Sequence, residues 1–202
     1  MTRGRFISLE GLDGAGKSTH LAFIERHLRG HGVDLLTTRE PGGTPLGEEL
    51  RSLLLSRGMA ADTELLLMYG ARVEHVQSLI KPALAAGRWV LSDRFHDASY
   101  AYQCGGRGIA RARLAALEEW ALQGFAPDLT LLLDVPAELA AERRARARAA
   151  DRFEAEDLEF FRRVRAAYLE RASLYPQRIR AIDAARAPTE IQADIARLLD
   201  SL

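Results

Sequence analysis

Gly11-Leu12-Asp13-Gly14-Ala15-Gly16-Lys17-Ser18 follows the spacing Gly-x-x-x-x-Gly-Lys-Ser, with Thr19 next in line. Glycines at that spacing let several consecutive backbone N–H groups turn inward around phosphate oxygens, and a helix starting behind the loop adds positive potential. In such a P-loop Lys17 reaches the β- and γ-phosphates of ATP and Ser18 ligates Mg2+, so residues 11 to 19 are the candidate ATP contacts. Composition sharpens the reading. The chain carries 26 arginines but only two lysines, Lys17 and Lys81, so an arginine that matches a motif says little and Lys17 says much. The pattern would arise by chance on the order of once per thousand sequences of this composition, so an incidental Gly-rich turn is a poor explanation.

A second candidate is Asp93, which closes the apolar run Trp89-Val90-Leu91-Ser92 and is followed by Arg94. A carboxylate there could hold magnesium through water. The lesser alternative is a residue that caps a helix or a turn.

These groups need a scaffold. Residues 6–10 read as a short buried strand, and residues 18–28 as an apolar-periodic helix behind the Gly-rich loop. Residues 33–38 and 89–93 read as strands, 46–55 and 64–86 as helical stretches, and 111–123 as a helix. Residues 129–135 form the most apolar strand, 137–150 and 158–174 read as helices, and 179–183 and 189–202 close as strand and helix. Alternating strands and helices, with several strands apolar on both faces, imply a three-layer α/β/α fold around a five-stranded parallel sheet. Its ligands belong at the carboxyl ends of the strands. A length of 202 residues suits one domain, 1–202.

Composition also excludes. The 28 basic residues balance the 28 acidic ones, so no field for nucleic acid is advertised. Cys104 is the only cysteine, which suits a reducing cytoplasm and precludes an intrachain disulfide. No run of eighteen apolar residues suggests a membrane span, and the amino terminus reaches the loop too soon to hold a signal peptide. The Asn-Lys-x-Asp motif of a GTPase switch is absent, because the chain has no Asn.

Taken in order, residues 11 to 19, Thr38-Arg39-Glu40-Pro41-Gly42-Gly43-Thr44, Asp93-Arg94-Phe95 and Ala101-Tyr102-Gln103 resemble bacterial thymidylate kinases. Many P-loop kinases share the first motif and few share both it and Arg-Glu-Pro-Gly-Gly-Thr. The resemblance implies transfer of the γ-phosphoryl group of ATP to dTMP with magnesium, and commonly a homodimer packed through long helices, here residues 64–86 and 111–123.

It also implies roles. Asp13 lies near the acceptor's sugar hydroxyl. Arg94 and Arg51 grip the acceptor phosphate, as planar guanidinium groups do well. Arg72 addresses the thymine edge, Tyr102 excludes a ribose 2′-hydroxyl, and Ser99, Gln103, Glu40 and Pro41 are further acceptor contacts. A stacking Phe is usual one helical turn before Arg72. Met68 stands there with Tyr69 beside it, and adjacent helix positions point about 100° apart, so only one can face the base. Met68 is favoured for its polarisable thioether.

Some members of this family place a catalytic Arg directly after the loop acid, where this chain has Gly14. The missing cation is then expected from a lid over about residues 142–154, with Arg148 or Arg152 as the catalytic candidate and Arg144 or Arg146 assisting. Two other readings remain open on residues alone: a different P-loop nucleotide or deoxynucleoside kinase, or a non-catalytic module that responds to ATP.

Overall fold

The structure is a computed structural model that describes residues 3–145, 152–153 and 156–202. Strand β1 (Phe6–Gly11) is buried along its whole length and lies at the centre of the sheet, with β4 (Leu129–Asp134) on one side and β3 (Trp89–Asp93) on the other. The half-exposed edges are β2 (Leu35–Arg39) beside β3 and β5 (Ile179–Asp183) beside β4, in the order β2-β3-β1-β4-β5, all parallel. This is the five-stranded α/β/α arrangement expected from the apolar runs. The central strands must be apolar on both sides because helices cover both faces.

Helix α1 (Lys17–Gly30) follows the loop after β1. Helices α2 (Pro45–Ser56) and α3 (Ala61–His75) lie between β2 and β3. Thr44, the last residue of Arg-Glu-Pro-Gly-Gly-Thr, caps α2 by accepting a hydrogen bond from the Gly47 amide at 3.0 Å, with Pro45 at the first helical position.

The stretch expected as one helix over 64–86 is interrupted. A π-helical turn, Val76–Ile80, separates α3 from α4 (Lys81–Ala85), and the Lys81 amide reaches back five residues to the Val76 carbonyl. Pro82 supplies the reason: it has no N–H to continue the ladder, and its ring would strike the carbonyl four residues earlier, so the chain widens ahead of it.

After β3 come the short α5 (His96–Ser99) and a second π-helical segment, Tyr100–Gly106, which residue periodicity did not reveal. Helix α6 (Arg111–Leu122) leads to β4, α7 (Ala137–Ala145) rises from it, and α8 (Leu158–Leu174) and α9 (Pro188–Leu199) flank β5. Ile24 and Leu28 of α1, Phe161 and Val164 of α8, and Ile191 and Ile195 of α9 share one core with Leu9 and Leu131. A smaller core under α3 and α6 gathers Phe6, Val90, Leu65, Tyr69 and Leu114. No helix among the described residues is long and apolar enough to cross a membrane.

Candidate active site

At the carboxyl ends of β1, β2 and β3 lies a cavity of about 720 Å3 lined by both predicted clusters: Asp13, Gly14, Gly16, Lys17, Ser18 and Thr19 of the loop, and Glu40, Pro41, Arg51, Met68, Arg72, Asp93, Arg94, Ser99, Tyr102 and Gln103 of the second set. Gly11, Leu12 and Ala15 are buried beneath the loop and do not line it. The Lys17 ammonium group donates to the carbonyls of Gly11 and Leu12 and to Asp13 Oδ1, each at 3.2 Å.

Asp13 is the hub of the floor. Its Oδ1 accepts from Arg94 Nη2 at 2.7 Å and its Oδ2 from the Tyr102 hydroxyl at 3.0 Å. Burial alone would raise this carboxyl, but the charges of Arg94 and Lys17 outweigh it and hold it well below the usual carboxylate range. Arg94 in turn donates to the Gly11 carbonyl and the Tyr168 hydroxyl, both at 3.1 Å, and to the Tyr102 hydroxyl at 3.0 Å. Its backbone sits at φ 71°, a costly conformation for a side chain with Cβ. The Arg94 amide donates to the Leu9 carbonyl and its own carbonyl accepts from Ser92 Oγ, so the surrounding strands enforce that turn.

Beneath Arg94 lies Glu10, fully buried and not singled out by motif reading. It accepts from the Phe95 amide at 2.7 Å and from the Tyr168 hydroxyl at 2.8 Å. Burial, with the Asp97 charge adding to it, pushes this carboxyl up to about 8.

Arg51 donates to the Pro41 carbonyl at 2.8 Å and has no carboxylate bound to it among the described residues. Burial and the neighbouring Arg39 charge lower it below the usual arginine value. An arginine without a carboxylate of its own offers a site for an anion, and Arg39, a motif residue given no role above, also lines the cavity wall with its guanidinium 2.8 Å from Glu48.

Arg72 is nearly fully buried. It donates through Nε to Glu40 at 2.7 Å and through Nη1 to Ser99 Oγ at 3.0 Å, while Glu40 also meets His75 Nδ1 at 3.0 Å. Burial would raise the Glu40 carboxyl, but Arg72 and His75 hold it down. Glu40 therefore fixes Arg72 in the wall. Gln103 donates to Glu64 at 2.8 Å. Of the two residues left open one turn before Arg72, Met68 lines the cavity, whereas Tyr69 is 2% exposed and belongs to the smaller core.

Gly43 and Gly14 are demanded by close approach. A Cβ on Gly43 would stand 2.5 Å from both His75 Nε2 and Thr38 Oγ1. At Gly14, φ is 90°, and a Cβ would stand 2.2 Å from the Ala140 carbonyl of α7. The position where a loop-borne arginine would start is therefore filled by backbone of the helix that leads into the lid.

Among the lid arginines, Arg144 lines the cavity and donates to the Asp13 carbonyl at 3.0 Å, with its guanidinium 3.9 Å from the Phe161 ring centre. Arg143 also lines the cavity and donates to the Ala184 carbonyl at 3.0 Å. Arg152 does not line it. Its Nε donates to the Leu54 carbonyl at 2.9 Å and its Nη2 to Glu64 at 2.7 Å. Arg146 and Arg148 lie outside the described residues.

Asp93 fits a magnesium role on structural grounds. It lines the cavity with Ser18, and its Oδ1 atom is buried without a hydrogen-bond partner among the described residues. A hydrated divalent cation would satisfy such an oxygen.

A parallel sheet with a phosphate loop after its central strand, a carboxylate after the neighbouring strand, and a second cationic subsite in the same cavity define a P-loop phosphotransferase. Residues 9–195 match the thymidylate kinase family. The chain is 64% identical to the thymidylate kinase of Thiobacillus denitrificans, over 98% of either chain, and 58% identical to that of Chromobacterium violaceum, over 99% of this chain and 95% of that one. The crystal structure of thymidylate kinase from Ehrlichia chaffeensis superposes with a TM-score of 0.77 at 33% identity, covering 98% of this chain and 99% of that chain. The chain belongs to the thymidylate kinase family.

Proposed function

We propose that this chain transfers the γ-phosphoryl group of ATP to dTMP, giving dTDP and ADP, and that the residues of the cavity divide the work as follows. Lys17 and the loop amides hold the donor phosphates. Arg94 and Arg51, with Arg39 behind them, hold the acceptor phosphate. Asp13 stands between the two sets, where it orients Arg94 and Lys17 and is placed to accept a hydrogen bond from the acceptor's sugar. Phosphoryl transfer needs little beyond alignment and cationic charge around the moving group, and this cavity supplies both.

Ser18 and Asp93 would hold a magnesium ion, which would supply charge neutralisation of the donor phosphates. Met68 lies against the base, and Arg72, positioned by Glu40, addresses its edge together with Ser99 and Gln103. Tyr102, tied by its hydroxyl to Asp13 and Arg94, closes the space a ribose 2′-hydroxyl would need. The lid, about residues 142–154, closes over ATP and excludes water, so ATP is not wasted on hydrolysis when no acceptor is bound.

We further propose a cytoplasmic homodimer. Leu66 on α3 is 61% exposed and Trp120 on α6 is 75% exposed, and these two helices pack together, so the apolar pair offers a face for a second copy.

The observation that carries the reading is the coexistence, in one cavity, of the Lys17 loop and the Arg94–Arg51 cluster joined through Asp13. A coupled assay of ADP formation tests it: dTMP should give rapid turnover, and ATP alone only slow hydrolysis. Turnover of UMP comparable with that of dUMP would remove the role given to Tyr102, and equal ADP release with and without dTMP would remove the reaction itself.

A further inference from the structure

We infer that His27, His31 and Asp200 form a binding site for a divalent transition-metal ion of the zinc type, at the opposite end of α1 from the phosphate loop. His27 lies in the last turn of α1, His31 caps that helix, and Asp200 caps α9, so the site joins two ends that the core already packs together. One ligand atom from each residue lies within 4.8 Å of the other two. Ligands at zinc's usual bond lengths of about 2.0–2.1 Å sit about 3.4 Å apart around a tetrahedral ion, a closure that side-chain rotation can supply.

The hydrogen bonds prepare the set. His31 Nδ1 lies 2.8 Å from the His27 carbonyl oxygen. A carbonyl can only accept, so Nδ1 carries the proton and leaves Nε2 with a free lone pair, the same backbone anchoring that orients histidines in known metal sites. His27 Nε2 faces Asp200 Oδ1 at 2.7 Å, and the two imidazole rings are 4.5 Å apart.

An ion pair accounts for His27 and Asp200, the hydrogen bond to the His27 carbonyl turns the His31 ring beside them, and together they bring one ligand atom of each residue within 4.8 Å of the others. The carboxyl end of a helix favours positive charge, and His31 and Asp200 are exposed, which gives an ion a way in and leaves room for water in the remaining position. Two imidazoles with one carboxylate suit zinc, cobalt or nickel rather than magnesium, which prefers oxygen ligands. Binding at His27 Nε2 requires any proton on that nitrogen to leave it, for Nδ1 in the neutral ring or for solvent in the charged one.

The test uses the whole chain, stripped with chelator, without nucleotide, and titrated with zinc or cobalt alone. One equivalent should bind with a dissociation constant of about 1 µM and resist a large excess of magnesium. Cobalt should give the absorption of a four-coordinate site, and zinc at a hundredfold excess over its dissociation constant should raise Tm by about 5 °C or more. His27→Gln and His31→Gln should each weaken binding at least tenfold, while turnover with MgATP and dTMP stays at the wild-type level. Zinc binding that persists undiminished in the double variant places the ion elsewhere, at Asp93 and Ser18 for example, and overturns the proposal. So does the absence of zinc binding to the wild-type chain, which leaves His27 and Asp200 an ion pair only.

Discussion

The floor of the cavity and its lid both carry arginines, yet the two regions hold them differently. On the floor, Arg94 and Arg72 are tied to Asp13 and Glu40 within 2.7 Å, and strands or packed helices fix both ends of each pair. In the lid, among the described residues, Arg144 donates to a backbone carbonyl of the loop and lies over the Phe161 ring, and Arg152 turns to Glu64 and Leu54 on the acceptor side. A buried ion pair sets geometry before any ligand arrives, whereas an arginine resting on a carbonyl can exchange that contact for a phosphate oxygen at little cost. The floor is preorganised, and we propose that the lid supplies charge on closing.

The contrast can be broken at several points. Lys17→Met removes the one loop cation and should lower kcat by at least about 10³-fold, with the fold retained by circular dichroism; a modest loss would mean that the lid alone suffices for the donor phosphates. Arg94→Ala should cost about 10²-fold in kcat/KM for dTMP, and Arg94→Lys should not restore it, because an ammonium group cannot reach Asp13, Tyr102 and an acceptor phosphate together. Arg51→Ala, which disturbs no ion pair, should mainly raise KM for dTMP, by about tenfold, with kcat little changed.

The smallest effect concerns stability. Glu10 titrates at an ordinary 4.5 when unfolded and at about 8 in the fold, so its contribution is full below pH 4.5 and is lost as pH rises through about 8. The Tm of Glu10→Gln relative to wild type should therefore climb by several degrees between pH 5 and 8. Parallel Tm curves would show that Glu10 ionises at its ordinary value despite its burial.

Much of the floor was legible because its residues sit in short motifs next to strands that apolar runs reveal: Lys17 behind β1, Arg94 behind β3, Tyr102 and Gln103 just beyond. What escaped depends on long-range packing. Glu10 looks like one more strand residue until Phe95 and Tyr168 are brought to it from far along the chain. Arg39 stands in the Arg-Glu-Pro-Gly-Gly-Thr motif but resembles many arginines in an Arg-rich chain, and only its place in the cavity wall, where Glu48 holds its guanidinium at 2.8 Å, suggests a part in the anion site. Periodicity allowed Met68 or Tyr69 to face the cavity, and the choice follows from which face of α3 covers Phe6 and Val90. The π-helical turns were invisible because they conserve helical composition and change only the hydrogen-bond span. The lid resisted for the opposite reason: several arginines at close spacing satisfy any single-residue test equally well.

At Gly14 the Ala140 carbonyl occupies the place where a loop-borne arginine would begin, and we propose that the catalytic cation comes from the lid instead. Single-turnover measurement of dTDP formation, with enzyme and MgATP in excess over dTMP, tests this across Arg144→Ala, Arg146→Ala, Arg148→Ala and Arg152→Ala. One of Arg148 and Arg152 should lose about 100-fold or more in the rate of the chemical step, with smaller losses at Arg144 and Arg146. Rates within a few-fold of wild type in all four variants would contradict the claim and return the burden of charge to the floor.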